Sequence, residues 1–130
     1  MPAYEDGHFH PPAPLARVGL RHPDKGTTLS DVLMLIDSGA DVTLLPLASI
    51  ERLGVPVNSG EGYELMGFDG SRTVSHTVQV DLLFLRRAFK GRFLLIDRGW
   101  GILGRDILNH VALLLHGPSS TWSEYSDTLQ

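Results

Sequence analysis

Asp37, Ser38 and Gly39 bring a carboxylate, a hydroxyl and a residue without a side chain together at the end of the apolar run Leu29 to Ile36. A carboxylate that ends a buried strand has lost water on one side and needs hydrogen-bond donors. Gly39 lets the backbone fold close enough for its own N–H to reach the carboxylate. Ser38 adds a hydroxyl that donates or accepts. A carboxylate held in this way can take a proton from water or pass one on. The same tripeptide also makes an ordinary turn between two strands, and three residues alone do not separate the two readings.

A second element lies later in the chain. Ile102-Leu103-Gly104-Arg105-Asp106 follows a strand-like segment and opens a short helical one. Two apolar residues and then a glycine, after a strand, point to a chain passing close to another backbone. Arg105 can form a bidentate pair with a carboxylate such as Asp41. The plain alternative is a solvated arginine on an exposed turn.

The elements that would position these groups are mostly strands. Leu15 to Arg21 reads as a first strand, ended by the turn His22-Pro23-Asp24-Lys25-Gly26. Leu29 to Ile36 reads as a buried strand, and Val42 to Leu45 resumes extended character. Pro46 can open a helix, where its missing N–H is not needed. Leu47 to Leu53 would form that helix, with Gly54 stopping it. Val55 to Gly62 reads as loop. Val74, His76, Val78, Val80, Leu82 and Phe84 then alternate with Ser75, Thr77, Gln79 and Asp81, the period of a strand. Gly67-Phe68-Asp69-Gly70 is a turn before it, with Tyr63 to Met66 as partner strand. Phe89 to Asp97 and Val111 to Leu115 are further strands. Arg105 to His110 is a brief helix, and Thr121 to Tyr125 an edge-like last strand. The expected fold class is mostly β with one or two short helices.

The chain has 130 residues and 42% hydrophobic content, enough for one domain with one modest core. The expected organisation is a flexible N-terminal arm over 1–14, a domain over 15–125 and a C-terminal tail over 126–130. The net charge of −4 gives no basic face for a nucleic-acid partner. The chain has no cysteine, which rules out disulfides, thiolate metal sites and cysteine nucleophiles, and fits a cytoplasmic protein. No apolar run approaches the roughly 20 residues of a spanning helix, so no membrane partner is expected. The first 14 residues lack the basic start and apolar run of a signal peptide.

Other residues invite chemistry and give it up on context. Gly99-Trp100-Gly101-Ile102-Leu103-Gly104 matches a dinucleotide-binding glycine pattern, with Glu124 following 20 residues after Gly104. A βαβ unit needs a real helix and about 30 residues, and the strand from Val111 comes too soon. His8 and His10 form His-x-His in a proline-rich arm with no third ligand in sight, so neither a metal nor any other cofactor is expected. His76 reads as a core or flap-strand histidine. Trp100 and Trp122 read as packing residues.

Taken together and in this order, Leu35-Ile36-Asp37-Ser38-Gly39-Ala40-Asp41 and Ile102-Leu103-Gly104-Arg105-Asp106-Ile107-Leu108 resemble the retropepsin family of single-domain aspartic proteases. The likeness spans about Leu15 to Tyr125. It implies a closed β-barrel with a flap hairpin, and an aspartic endopeptidase that takes an extended polypeptide as substrate. By that likeness Asp37 is the catalytic aspartate. Ser38 corresponds to the hydroxyl residue that bonds across a dimer, and Gly39, with Ala40 beside it, to the glycine that supports the carboxylate. Asp41 and Arg105, after Gly104, correspond to the ion pair that braces the base of the site. Met66, Gly67, Phe68, Asp69 and Gly70 correspond to the flap, and Thr121 to Tyr125 to a strand that joins a sheet with the partner.

The chemistry requires that partner. Aspartic proteases use two carboxylates that share one proton, because like charges about 3 Å apart cannot both ionise. This chain has one Asp-Ser-Gly element and no room for a second lobe. A homodimer supplies the second Asp37 across its two-fold axis. Such a pair titrates as a unit, which implies a bell-shaped pH profile on the acid side. The alternatives are a non-catalytic peptide-binding or assembly module of the same fold, and a nucleotide-binding protein through Gly99 to Gly104.

Overall fold

Alternating burial carries most of the chain into strands, and the strands close on themselves. In the computed structural model the described residues are 2–66 and 72–126, with side chains described outside 58–75. The elements in order are β1 (Leu15–Arg21), β2 (Thr28–Ile36), β3 (Leu44–Pro46), α1 (Leu47–Leu53), β4 (Val57–Met66), β5 (Arg72–Phe84), β6 (Arg87–Ile96), β7 (Gly101–Leu103), α2 (Arg105–Leu108), β8 (Leu113–His116) and β9 (Thr121–Glu124). A 3-10 turn over Gly117–Ser119 joins β8 to β9.

Neighbouring strands run β1-β2-β7-β3-β6-β5, and β5 returns to β1, so six strands form a closed barrel. β4 extends the sheet beyond β5. Two pairings are parallel, β2 with β7 and β3 with β6. Closure turns on Gly19. β1 pairs with β2 through Val18↔Val32, slips, and resumes at Leu20↔Leu29, while Gly19 pairs with Leu83 of β5. Asp31 takes a φ of 60° at the slip. The extra residue bends β2, as bulges do. A Cβ at Gly19 would meet Leu83 at 3.3 Å.

Leu20, Met34, Leu45, Val80, Leu82 and Leu103 fill the barrel and have no exposed surface. Each such side chain contributes about 1.5–3 kcal/mol by leaving water. α1 covers the barrel with Ile50, which is fully buried. Its limits are those expected. Pro46 caps the N-terminus at φ −64°, and Gly54 ends the helix at φ 77°, a left-handed conformation that favours glycine.

Several expectations need correction. β4 begins at Val57, so much of the presumed loop Val55 to Gly62 is strand. Its glycines and polar residues hide the alternation, and pairing with β5 holds it instead. Along β5, Val78, Val80, Leu82 and Phe84 are buried as expected, but Thr77 and Asp81 on the other face are buried too. His76 is exposed, so it is not a core histidine. β9 is not an edge strand, because β8 lies on one side and residues 2–4 on the other.

Residues 2–14 are therefore tied down and not a free arm. Ala3 bridges Thr121, the Tyr4 N–H donates to the Ser120 carbonyl at 2.7 Å, and the Trp122 N–H donates to Pro2 at 3.0 Å. Glu5 and Ala13 exchange backbone bonds, which folds the segment between them into a loop. Phe9 meets Trp100 edge-on with ring centres 5.1 Å apart. Glu5 accepts the backbone N–H of His8 and pairs with its ring, and these bonds hold the Glu5 carboxyl below its usual range.

Candidate active site

β2 ends at Ile36 and the parallel ladder with β7 runs one step further. After Met34↔Gly101, Leu35↔Ile102 and Ile36↔Leu103, the Asp37 N–H donates to the Leu103 carbonyl at 3.1 Å. The chain then turns back, with the Ala40 N–H donating to the Asp37 carbonyl at 3.1 Å. Inside this turn the Gly39 N–H donates to Asp37 Oδ1 at 2.9 Å. A Cβ at Gly39 would stand 3.2 Å from that oxygen, so a side chain there would crowd the carboxylate. Asp37 is half-buried, and its Oδ2 has no partner among the described residues. The carboxylate thus has one oxygen fixed and one available.

The base of the turn is tied to the start of α2. The Arg105 N–H donates to the Ala40 carbonyl at 2.9 Å. Arg105 Nη1 donates to the Ser38 carbonyl at 2.7 Å, and Nη2 pairs with Asp41 Oδ1. The guanidinium is divided between a carbonyl and a carboxylate, where a bidentate pair with Asp41 was expected. The Asp41 side chain is 83% exposed and that of Arg105 42%. Water screens such a pair, which contributes about 0–1 kcal/mol. Arg105 thus holds the turn at two points, by its side chain at the Ser38 carbonyl and by its N–H at the Ala40 carbonyl.

Beneath lies an anchor that motif reading passes over. Thr43 is fully buried. Its hydroxyl accepts the Gly104 N–H at 3.0 Å and donates to Asp106 Oδ1 at 2.6 Å, and its N–H donates to Asp106 Oδ2 at 3.1 Å. The available signal was a threonine six residues after Asp37 and an aspartate directly after Arg105. A buried hydroxyl needs a partner, but sequence does not say which.

Two glycines let β7 pass between its neighbours. A Cβ at Gly104 would lie 2.4 Å from the Val42 carbonyl oxygen, and one at Gly101 would lie 2.4 Å from that of Leu44 and 2.5 Å from the Met34 sulfur. This close approach accounts for two glycines of the dinucleotide-like pattern. The segment they belong to is a three-residue strand followed by a four-residue helix, which is no βαβ unit.

Asp37, Ser38, Gly39, Ala40, Asp41, Gly104 and Arg105 therefore form one connected cluster. Gly67, Phe68, Asp69 and Gly70 lie outside the described residues. Met66 ends β4 and pairs through its backbone with Arg72, which makes β4 and β5 a hairpin. Trp122 packs on Phe84 and donates its indole N–H to the Leu15 carbonyl at 3.0 Å, the packing role expected. Among the described residues no group of three or more His, Asp or Glu is placed to hold a metal ion, and no helix is long and apolar enough to cross a membrane.

The chain is similar to solved structures. EIAV protease complexed with the inhibitor HBY-793 superposes with a TM-score of 0.57 and 29% identity, over 75% of this chain and 86% of the viral one. The retroviral protease-like domain of Ddi1 from Leishmania major aligns over 88% of this chain and 90% of its own, with 16% identity and a TM-score of 0.49. No protein-family model and no curated protein sequence matches the chain.

Proposed function

The chain has a retropepsin-like fold, and on that premise we propose that it is an aspartic endopeptidase, active as a homodimer on extended polypeptides. The observation that carries the proposal is the single Asp37 carboxylate at the end of a barrel strand, with Oδ1 held by the Gly39 N–H and Oδ2 available. The likeness to EIAV protease at 29% identity supports peptide-bond hydrolysis as the reaction.

One carboxylate does not complete this chemistry, because the mechanism needs an acid and a base together. A two-fold axis beside the turn supplies both from identical residues. The ionised Asp37 takes a proton from a water held between the two carboxyl groups, and the water oxygen attacks the peptide carbonyl. The protonated Asp37 of the second copy donates a hydrogen bond to the carbonyl oxygen. A proton then passes to the leaving nitrogen as the C–N bond breaks. The Ser38–Arg105 bond and the Thr43–Asp106 anchor would hold the two turns in register, since small misplacements of reacting groups are costly.

Incubation of an unfolded protein with wild type and with Asp37→Asn tests this reading. Cleavage by wild type alone is expected. Equal cleavage by both would remove Asp37 from the mechanism. Peptide binding without cleavage by a wild-type dimer would favour the non-catalytic module.

A further inference from the structure

We propose that a pocket between the β1–β2 turn and the end of α1 binds the first residue of a peptide, with His22 donating to its carbonyl oxygen and Asp24 pairing with its α-ammonium group. This goes beyond the peptidase reading and does not depend on it. β1 begins at Leu15, which pairs with Leu35 near Asp37, and His22 follows the other end of the strand. The pocket has a volume of about 230 Å³ and is lined by His22, Pro23, Asp24, Val55, Pro56 and Gln79.

Backbone bonds set its walls. The His22 N–H donates to the Thr27 carbonyl at 2.8 Å, and the Gly26 N–H donates back to the His22 carbonyl at 3.0 Å. Gly26 closes this turn at a φ of 74°, in the left-handed region. Gly54 ends α1 in the same region, and Val55 and Pro56 leave the helix from there. On β5, Asp81 pairs with Arg21. The antiparallel run of β5 back towards Gln79 therefore passes beside His22 and Pro23. Three fixed elements meet at the pocket, so it is formed before any ligand arrives.

The lining selects the ligand. His22 is only 4% exposed. Its Nδ1 accepts the N–H groups of Asp24 and Lys25, both at 3.2 Å. A ring nitrogen that accepts carries no hydrogen, so the neutral ring has its N–H at Nε2. Nε2 has no partner among the described residues. A donor on a ring this buried normally has one, so the pocket is short of an acceptor. Asp24 is exposed at the rim, and its carboxylate has no partner among the described residues either. Pro23, Val55 and Pro56 add apolar surface. A donor, an anion and an apolar wall match a carbonyl oxygen, an ammonium group and an aliphatic side chain. The first residue of a peptide carries all three. Size agrees, because the volume lies below the roughly 300–1,000 Å³ of a drug-sized site.

L-Valinamide carries the same three groups and serves as the probe. Followed by amide NMR, millimolar valinamide should saturably shift the signals of Asp24 and Lys25, whose N–H groups are bonded to the His22 ring. N-acetyl-L-valinamide lacks the ammonium group and should bind about tenfold more weakly, as should valinamide to Asp24→Asn. His22→Asn keeps a turn acceptor near the place of Nδ1 and removes the Nε2 donor. It should keep its circular dichroism spectrum and bind about tenfold more weakly. Asp37→Asn should bind as wild type does, whatever becomes of cleavage. No shift at the turn, or equal binding of the acetylated probe, would overturn the proposal. Loss of binding in Asp37→Asn would place the probe at that carboxylate and overturn it too. So would unchanged binding by Asp24→Asn, which decides the matter if His22→Asn does not fold.

Discussion

Thr43 and Asp106 are bonded twice, hydroxyl to one carboxylate oxygen at 2.6 Å and N–H to the other at 3.1 Å. The same hydroxyl accepts the Gly104 N–H, so one buried atom joins the chain after Asp37 to the chain before Arg105. Thr43→Val keeps the shape and the backbone bond to Asp106 Oδ2 but strands the Gly104 N–H and Asp106 Oδ1. We expect a loss of about 1–3 kcal/mol, measured by denaturant unfolding. An unchanged midpoint would mean that the anchor carries no stability.

Gly104→Ala and Gly39→Ala should separate folding from chemistry. The first places a methyl group 2.4 Å from backbone at Val42, which cannot yield without moving β7. It should fail to fold or unfold at far lower denaturant. The second places a methyl group 3.2 Å from Asp37 Oδ1. It should fold, within about 1 kcal/mol of wild type, and lose most of its cleavage. Circular dichroism and a peptidase assay on both variants check the contrast.

Asp41→Asn and Arg105→Ala should differ although the residues form one ion pair. The pair is exposed, and its loss in Asp41→Asn should cost under about 1 kcal/mol. Arg105→Ala also frees the Ser38 carbonyl, one of the two points at which the Asp37 turn is held. Activity should fall further in Arg105→Ala than in Asp41→Asn, and further than stability does. Equal activities would assign the bracing role to the ion pair alone.

The loop over residues 5–13 should loosen in acid. The bonds from His8 hold the Glu5 carboxyl below its usual range near 4.5. A carboxyl lowered on folding contributes stability above its unfolded value and loses it as pH falls through the folded one. Because Phe9 and His8 pack on Trp100, tryptophan emission should shift as pH falls below 4.5. Glu5→Gln should remove that shift.

Much of this was legible because local rules and tertiary structure agree. Pro46 and Gly54 mark α1 to the residue, since each acts through its own backbone. Gly104 announced a close approach, and the Val42 carbonyl is what it approaches. The carboxylate of Asp37 and the N–H of Gly39 are two residues apart and had to meet. Long-range partnerships were harder. Thr43 bonds Asp106 from 63 residues away, and no periodicity marks that pair. Trp122 hid its strand's two neighbours, because a buried tryptophan fits an edge strand as well as a central one. Residues 2–14, rich in proline, carried no sign of the bonds to Thr121 and Ser120 that hold them down.

Mixing wild type with Asp37→Asn most directly tests the claim that the carboxylates work as a pair. Wild type is held at fixed concentration and the variant is added under conditions that allow subunits to exchange. If each active site needs one Asp37 from each copy, mixed dimers are dead, and an equal amount of variant should reduce activity to about half. Activity that stays constant as the variant is added would show that a single chain works alone, and would contradict the shared pair.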